Sequence, residues 1–91
     1  MDIQNKEDKN EGSFYVEENG EQLAELVYKK EKGRMVIEHT EVDESLRGKS
    51  VGFELVEKAV EYARQEHLKV IPLCEFADKV IQEHKEFQDV L

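Results

Sequence analysis

The stretch LRGKSVG, residues 46–52, decides the fold, because it joins a strand-like run to a helix-like run. Residues 35–42 precede it with β-prone side chains, and residues 51–66 follow it with apolar side chains at helical spacing. The first amides of a helix have no internal partner and the helix dipole favours negative charge, so a phosphate can bind there. Gly48 and Gly52 let the backbone approach a ligand closely. The stretch therefore predicts an anion site at a helix start, with a plain strand–helix turn as the alternative.

The composition limits the classes of function. The 91 residues are enough for one small domain, and the net charge of -9 argues against non-specific binding to nucleic acid or to an anionic membrane. No apolar run approaches the roughly 20 residues of a spanning helix, and the charged start does not resemble a signal peptide. A single cysteine, Cys74, excludes an internal disulfide and suits a reducing compartment. We therefore expect a cytoplasmic protein that binds neither membrane nor nucleic acid.

The first half of the chain predicts an antiparallel meander. Residues 1–12 are polar and indicate a flexible N-terminal arm or an edge strand, which leaves residues 13–91 as the domain. Asn19-Gly20 is a strong hairpin signal, because both residues accept a positive φ, and residues 31–33 form a second turn. The strands expected around these turns are residues 14–16, 22–30 and 34–42.

The second half predicts two helices with a strand between them. Residues 51–66 carry their apolar side chains on one helical stripe, and residues 69–73 form a short strand. Pro72 indicates that this strand is an edge strand or ends there, and we expect it to pair in parallel with the strand before the loop. Residues 75–84 predict a second amphipathic helix. Its stripe, expected to be core, contains Phe76, Val80 and Ile81. The element order indicates a small, layered α+β fold.

Four short motifs occur in a fixed order along the chain. They are His-Thr-Glu-Val at 39–42, the glycine loop at 47–52, Pro-x-Cys-x-aromatic at 72–76 and His-x-Glu-aromatic at 84–87. Together they resemble the GCN5-related N-acetyltransferase (GNAT) family, and within it a short bacterial branch of the YjdJ type. Each motif alone is weak, but four in the right order are much more specific. The resemblance covers roughly residues 14–91.

The resemblance implies acetyl-CoA, or coenzyme A, as the cofactor and an amine as the acceptor of the acetyl group. The pyrophosphate would lie on the amides of residues 48–52 beside Arg47 and Lys49, and the pantetheine arm would run along residues 39–42, where the strands of this family splay. The cofactor-binding residues that it implies are His39, Thr40, Glu41, Val42, Arg47, Gly48, Lys49, Ser50, Val51 and Gly52.

Ser50 departs from the family loop, which has glycine at this position. If the position needs a positive φ, serine costs about 1 kcal/mol or more there. If φ is negative, the amide still faces the ligand and the hydroxyl can add a hydrogen bond. We expect Ser50 at most to weaken the affinity for the cofactor, and not to abolish the loop.

Acetyl transfer to an amine requires a proton acceptor for the amine and a proton donor for the departing thiolate. His39 is the candidate base, with Glu41 or Glu38 as alternatives. Cys74 is the candidate acid, or a thiol nucleophile that is itself acylated. The structural alternatives are a packed or hydrogen-bonded core histidine, solvated or cross-strand partners for Glu38 and Glu41, and a small, buried apolar cysteine. Tyr62 lies on the helix, so no tyrosine is expected to act as the acid.

The acceptor side is less defined by the sequence. Larger members of the family build the acceptor site from extra helices between early strands, and the turn at 29–34 leaves no room for them. We therefore expect an open cleft, which suits a lysine of a protein or peptide, or a cleft completed by a second copy in a homodimer. The alternative function is a CoA-binding or protein-interaction module with little or no turnover. No metal-ligand spacing is evident.

Overall fold

The computed structural model describes residues 2–91, which form a five-stranded sheet in the order β1-β2-β3-β4-β5. The strands are β1 (Gln4–Asp8), β2 (Glu11–Glu18), β3 (Glu21–Glu31), β4 (Arg34–Val42) and β5 (Lys69–Pro72), and the helices are α1 (Val51–Gln65) and α2 (Glu75–Glu83). The first four strands are antiparallel, and β5 pairs with β4 in parallel. The predicted α+β layered fold, with its meander, helix, parallel strand and C-terminal helix, is confirmed.

The N-terminal residues belong to the sheet, which corrects the prediction of a flexible arm over residues 1–12. Gln4 pairs with Tyr15 and Asp8 with Glu11, and the Asn5 side-chain amide donates to the carbonyl of Ser13 at 2.9 Å. An edge strand exposes most of its side chains, so its polar sequence resembles that of a loop. The alternative of an edge strand is therefore the one that the structure adopts. Met1 lies outside the described residues.

Two hairpin turns have the backbone that their sequences predict. Asn19 and Gly20 have φ values of 53° and 80°, and Lys32 and Gly33 have φ values of 50° and 79°. Two successive positive φ values match the twist of the flanking strands, as two-residue hairpin loops require. These turns fix the registers of β2 on β3 and of β3 on β4.

The core lies between one face of the sheet and the two helices. The predicted stripe of α1 is fully buried and consists of Val51, Leu55, Val56, Ala59, Val60 and Ala63. It packs on inward side chains of the strands such as Leu26, Tyr28 and Ile37. We call this side of the sheet the inner face and the other side the outer face. Within residues 2–91 no helix packs on the outer face, and none is long and apolar enough to cross a membrane.

A β-bulge in β4 decides which side chains face the helices. Tyr28 pairs with Ile37 but its neighbour Val27 pairs with His39, so Glu38 is an extra residue. Because side chains alternate along a strand, the extra residue reverses the faces of everything after it. Thr40 consequently lies on the inner face, opposite Leu26, and His39 lies on the outer face.

The strands β4 and β5 separate after this bulge. The pairing of the two strands ends at Ile37 and Pro72, and the amides of Leu73 and Cys74 both donate to the Ile37 carbonyl, at 3.0 and 3.3 Å. The chain then enters α2. Residues 38–42 of β4 therefore face an opening, which we call the gap, and peptide groups on that edge have no partner strand.

A polar cluster closes the opposite end of the sheet. The carboxylate of Glu7 accepts hydrogen bonds from the hydroxyls of Tyr28 and Tyr62 at 2.8 and 2.6 Å. Lys30 Nζ lies 2.9 Å from the other Glu7 oxygen and 2.9 Å from the Tyr62 hydroxyl. A Cβ at Gly12 would come within 2.6 Å of the Tyr28 hydroxyl, so glycine permits the approach. We call these four interacting side chains the tyrosine cluster.

Candidate functional site

The loop before α1 contains two residues with a left-handed backbone. Gly48 has a φ of 83°, and Ser50, at the N-cap of α1, has φ 59° and ψ 25°. A capping serine normally has an extended backbone and accepts a hydrogen bond from the helix amides, but Ser50 makes no such bond. Of the two backbone conformations considered for Ser50, the structure has the one with positive φ. A serine in this conformation lowers the stability of the fold by about 1 kcal/mol.

Several amides at this loop have no acceptor. Within the described chain, the N–H groups of residues 48 and 50–53 donate to no backbone or side-chain oxygen. The first hydrogen bond of α1 runs from the Glu54 amide to the Ser50 carbonyl at 3.0 Å. Free amides at the positive end of a 15-residue helix form a site for an anionic group such as a phosphate.

A pocket of about 500 Å³ connects these amides to the gap. Its lining combines the loop with apolar side chains from β4 and both helices. The lining residues are Thr40, Val42, Leu46, Arg47, Gly48, Ser50, Val51, Gly52, Phe53, Phe76 and Val80. Backbone donors at one end and an apolar wall beyond them suit a ligand with an anionic head and a long, weakly polar arm.

The structure divides the predicted cofactor-binding residues between the two faces. Those that line the pocket are Thr40, Val42, Arg47, Gly48, Ser50, Val51 and Gly52. Lys49 is exposed on the loop beside them. His39 and Glu41 lie on the outer face, because they alternate with Thr40 and Val42 along β4. Their side chains lie outside the pocket, and their backbone groups, at the edge of β4, border the gap.

Cys74 lies where the gap meets the start of α2. Its sulfur is 3.5 Å from the hydroxyl oxygen of Thr40. Partial burial raises the pKa of the Cys74 thiol, but hydrogen bonds from Thr40 and from the amides of Ala77 and Phe76 outweigh it, and the net effect is a lowered pKa. A thiol with more thiolate at neutral pH than an ordinary cysteine is suited to proton donation or nucleophilic attack.

His39 and Glu41 form a pair on the outer face of β4. Their side chains approach to 3.3 Å between His39 Nε2 and Glu41 Oε2, and 56% of the His39 side chain is exposed. The predicted alternative of a packed core histidine therefore does not describe it. The structure places Cys74 and His39 on opposite faces of the sheet, with the gap between them.

Phe76 was predicted to be core, and this prediction is wrong. The side chain is 43% exposed and lines the pocket beside the loop. A Cβ at Gly52 would come within 2.7 Å of its ring, so the absence of a side chain at Gly52 makes room for Phe76. The signal available in the sequence was its position, two residues after Cys74 at a helix start.

The sequence matches the family model of the GCN5-related N-acetyltransferases over residues 13–90. No protein of curated function matches it significantly. The solution NMR structure of a GCN5-like protein from Staphylococcus aureus is 34% identical, with a TM-score of 0.71 over 96% of this chain and 85% of that chain.

Larger acetyltransferases share the fold. The ribosomal-protein-S18-alanine N-acetyltransferase of Escherichia coli is 12% identical, with a TM-score of 0.69 over 85% of this chain and 53% of its own. An acetyltransferase from Bacillus anthracis, solved in complex with acetyl coenzyme A, is 20% identical, with a TM-score of 0.63 over 80% of this chain and 47% of its own. The chain spans about half the length of these two proteins.

The pocket agrees with these similarities. Acetyl-CoA is the acetyl donor of the matched family, so the predicted cofactor is confirmed at the level of the family. The free amides and the apolar wall of the pocket are compatible with a ligand of this kind, which has an anionic pyrophosphate and a long pantetheine arm. From the family match and the fold, the chain belongs to the GCN5-related N-acetyltransferase family.

Proposed function

We propose that the protein transfers the acetyl group of acetyl-CoA to a primary amine, the side chain of a lysine in a protein or peptide. One observation carries the proposal. A single pocket has free helix amides at one end and the Cys74–Thr40 pair beside its other end, where the strands part. The free amides and the Cys74 thiol thus lie at opposite ends of one open pocket with partly apolar walls.

The loop holds the charged part of the cofactor. The amides of residues 48 and 50–53 bind the pyrophosphate oxygens, and Arg47 and Lys49 add positive charge that the acidic chain otherwise lacks there. The peptide groups of β4 that face the gap bond the amides of the pantetheine arm. Val42 and Phe76 supply its apolar contacts. Bound acetyl-CoA supplies an acetyl group activated as a thioester.

His39 is the residue that takes the proton of the acceptor amine. Glu41 accepts a hydrogen bond from His39 Nε2 at 3.3 Å, which leaves Nδ1 to accept a proton. The amine nitrogen bonds to the acetyl carbon as the carbon–sulfur bond breaks, and the proton lost from nitrogen moves to His39. The outer-face position of His39 means that the amine enters the gap from the side opposite the cofactor.

Cys74 gives a proton to the sulfur that leaves. It lies on the inner face of the gap, and the lowered pKa of its thiol favours this donation to a more basic alkyl thiolate. Thr40 holds the Cys74 sulfur in place. If Cys74 instead carries the acetyl group during turnover, intact-mass measurement will find the protein 42 Da heavier, roughly the mass of one acetyl group, when no amine is present.

The open outer face supports a large acceptor rather than an enclosed small molecule. Within residues 2–91 no helix walls that face, so a polypeptide can reach the gap, or a second copy of the chain can complete the cleft as a homodimer. The unpaired thiol of Cys74 suits the reducing conditions of the cytoplasm.

The experiment is an acetylation assay on a panel of lysine peptides and small amines, read by mass spectrometry of the acceptor. We expect His39→Ala and Cys74→Ala to lower turnover at least tenfold while calorimetric affinity for acetyl-CoA is retained. His67→Ala is the matched control, because His67 is exposed at the other end of α1. Binding of acetyl-CoA with no turnover on any amine would instead favour the binding-module alternative.

A further inference from the structure

The outer face contains an acidic pair with no neutralising lysine or arginine. Glu25 and Glu41 are direct cross-strand partners on β3 and β4. Like charges in this arrangement destabilise a sheet. Within the described residues Glu25 makes no ion pair, and Glu41 pairs with His39 alone. The ammonium of Lys29, four residues along β3 from Glu25, is engaged with the carboxylates of Glu38 and Glu31, at 3.7 and 4.0 Å.

Beside Glu25 lies a shallow hollow with a polar atom that has no partner. Ser13 is 3% exposed, and its hydroxyl makes no hydrogen bond. The hollow has a volume of about 330 Å³ and is lined by Lys6, Glu7, Asp8, Glu11, Gly12, Ser13, Glu25 and Val27. The Lys6 ammonium is held over the ring of Tyr15, 4.7 Å from its centroid. An unpaired buried hydroxyl is costly, so an external partner would offset a real penalty.

Because the acidic pair lies beside the hollow, we infer that the outer face around Ser13, Glu25 and Glu41 binds the acceptor. The acceptor is an extended basic polypeptide, with the target lysine in the gap and a second cationic residue at Glu25. The inference rests on the proposed function and names the chemistry of its acceptor. A cation between Glu25 and Glu41 relieves their repulsion. Rotation of the Ser13 side chain toward the hollow, which the residue lines, lets its buried hydroxyl bond the peptide.

Strand geometry predicts the spacing of the two cations. Glu25 is on β3, and β4 lies between β3 and the gap. Because neighbouring strands are about 4.8 Å apart, two strand spacings, or roughly 10 Å, separate the gap from Glu25. An extended peptide advances roughly 3.3 Å per residue. The second cation should therefore stand about three residues from the target lysine.

The openness of the face favours a polypeptide over a free diamine. A small amine is normally bound in a concave site that covers most of its surface, whereas the hollow at Ser13 is shallow and continuous with the sheet. An extended chain gains contacts along β2, β3 and β4 together. The -9 net charge of the protein further favours a basic partner, and the experiment separates this general attraction from the site.

The test is fluorescence anisotropy with a labelled 11-residue peptide, roughly 36 Å long when extended, that carries a central lysine and an arginine three positions to either side. A second peptide has glutamates in place of the arginines. We expect the basic peptide to bind the full chain, Glu25→Lys to weaken it at least tenfold, and Glu83→Lys to change it less than twofold. Glu83 is an exposed glutamate of α2 and provides the matched charge change.

Ser13→Ala provides a second test, because a serine with a purely structural role would not affect peptide affinity. Removal of an unpaired buried hydroxyl should raise the melting temperature, yet lower peptide affinity about threefold because a ligand contact is lost. Higher stability with unchanged affinity would overturn the role of Ser13 in the site.

Three other outcomes would overturn the inference. The first is that Glu25→Lys and Glu83→Lys weaken binding of the basic peptide equally. The second is that the acidic peptide binds as tightly as the basic one. The third is that 1,5-diaminopentane competes at the concentration of the peptide, which would assign the site to a free diamine. The assay contains no acetyl-CoA, so its result is independent of turnover. A failure of the proposed function appears only in the acetylation assay.

Discussion

The two ends of α1 contrast in how their polar groups are satisfied. At the N-terminal end, the amides of residues 48 and 50–53 have no acceptor in the described chain, and Ser50 has a left-handed backbone. Near the C-terminal end, Tyr62 joins Glu7, Tyr28 and Lys30 in the tyrosine cluster, where each polar group has a partner. One end carries unused donors and local strain, and the other carries a closed network.

The difference shows how a 91-residue chain separates stability from function. Paired polar groups contribute to the folded state, because separation would leave partly buried groups unsatisfied. Unpaired donors lower stability but are available to a ligand. Mutations at the loop should therefore change binding, and mutations at the tyrosine cluster should change stability.

Gly52→Asp should have the largest effect. It places a carboxylate at the helix start, against the proposed site of the pyrophosphate, and its Cβ would come within 2.7 Å of the Phe76 ring. We expect acetyl-CoA affinity to fall at least about a hundredfold, or about 2.7 kcal/mol, in a calorimetric titration. Gly20→Asp is the control for an added carboxylate far from the loop: it has space for a side chain but a φ of +80°, so it should lower stability and leave the affinity unchanged. Unchanged affinity in Gly52→Asp would remove the loop from the site.

Glu7→Gln should have the opposite profile. It removes the negative charge that Tyr28, Tyr62 and Lys30 share, at a position with only 26% of its side chain exposed. We expect a loss of about 2 kcal/mol in the free energy of unfolding, measured with urea, because charged hydrogen bonds are involved. Acetyl-CoA affinity should stay within twofold. A variant that lost affinity but not stability would reverse the contrast between the two ends.

The same cluster predicts a dependence of stability on pH. Burial raises the pKa of Glu7, but hydrogen bonds from Tyr62, Lys30 and Tyr28 outweigh it and the pKa is lowered. A group with a lowered folded pKa stabilises the protein above its unfolded pKa, and this contribution is lost as pH falls through the folded pKa. The unfolding free energy should therefore decrease below about pH 4.5, and Glu7→Gln should reduce the decrease. An identical pH profile in both proteins would exclude Glu7 as the cause.

Ser50→Gly should relieve the strain at the loop. Glycine adopts φ 59° without the clash of a Cβ, so we expect stability to rise by about 1 kcal/mol and acetyl-CoA affinity to be kept or raised. Ser45→Gly, where φ is not positive, should lower stability, because Ser45 Oγ donates to Asp43 at 2.6 Å. A clear loss of affinity in Ser50→Gly would mean that the Ser50 hydroxyl contacts the cofactor.

Thr40→Val should have the smallest effect and test the chemistry beside the gap. Valine keeps the shape of threonine but cannot bond the Cys74 sulfur, 3.5 Å away, so the pKa of the thiol should rise. We expect alkylation of Cys74 at pH 7 to slow about threefold, and its pH profile to move upward. In the wild-type protein Cys74 should react faster than in the denatured chain, and CoA should protect it. Slow, unprotected labelling would indicate a purely structural cysteine.

Short-range sequence patterns were sufficient to predict the elements whose structure depends on residues close together in the chain. The stripe of α1, the Asn19-Gly20 turn and the edge position marked by Pro72 all follow from short-range patterns, and the structure has them. The glycine loop was identified for the same reason. Its free amides result from helix geometry rather than from a distant contact.

The arrangement around the gap depends on contacts that no local pattern encodes. The extra residue Glu38 reverses the faces of β4, which brings Thr40 to Cys74 and sends His39 outward. Alternation read from the sequence cannot detect a bulge whose cause is pairing with another strand. Phe76 was misassigned because an apolar side chain on a helix stripe suits a core and a ligand pocket equally.

The most direct test of the contrast between the two ends is an amide-resolved NMR titration of the isotope-labelled protein with acetyl-CoA. We predict shifts centred on residues 48–53 and on the gap edge of β4, with the amides of the tyrosine cluster unchanged. Shifts that were absent at millimolar acetyl-CoA, or that were centred on the tyrosine cluster, would contradict the assignment of the free helix amides as the cofactor site.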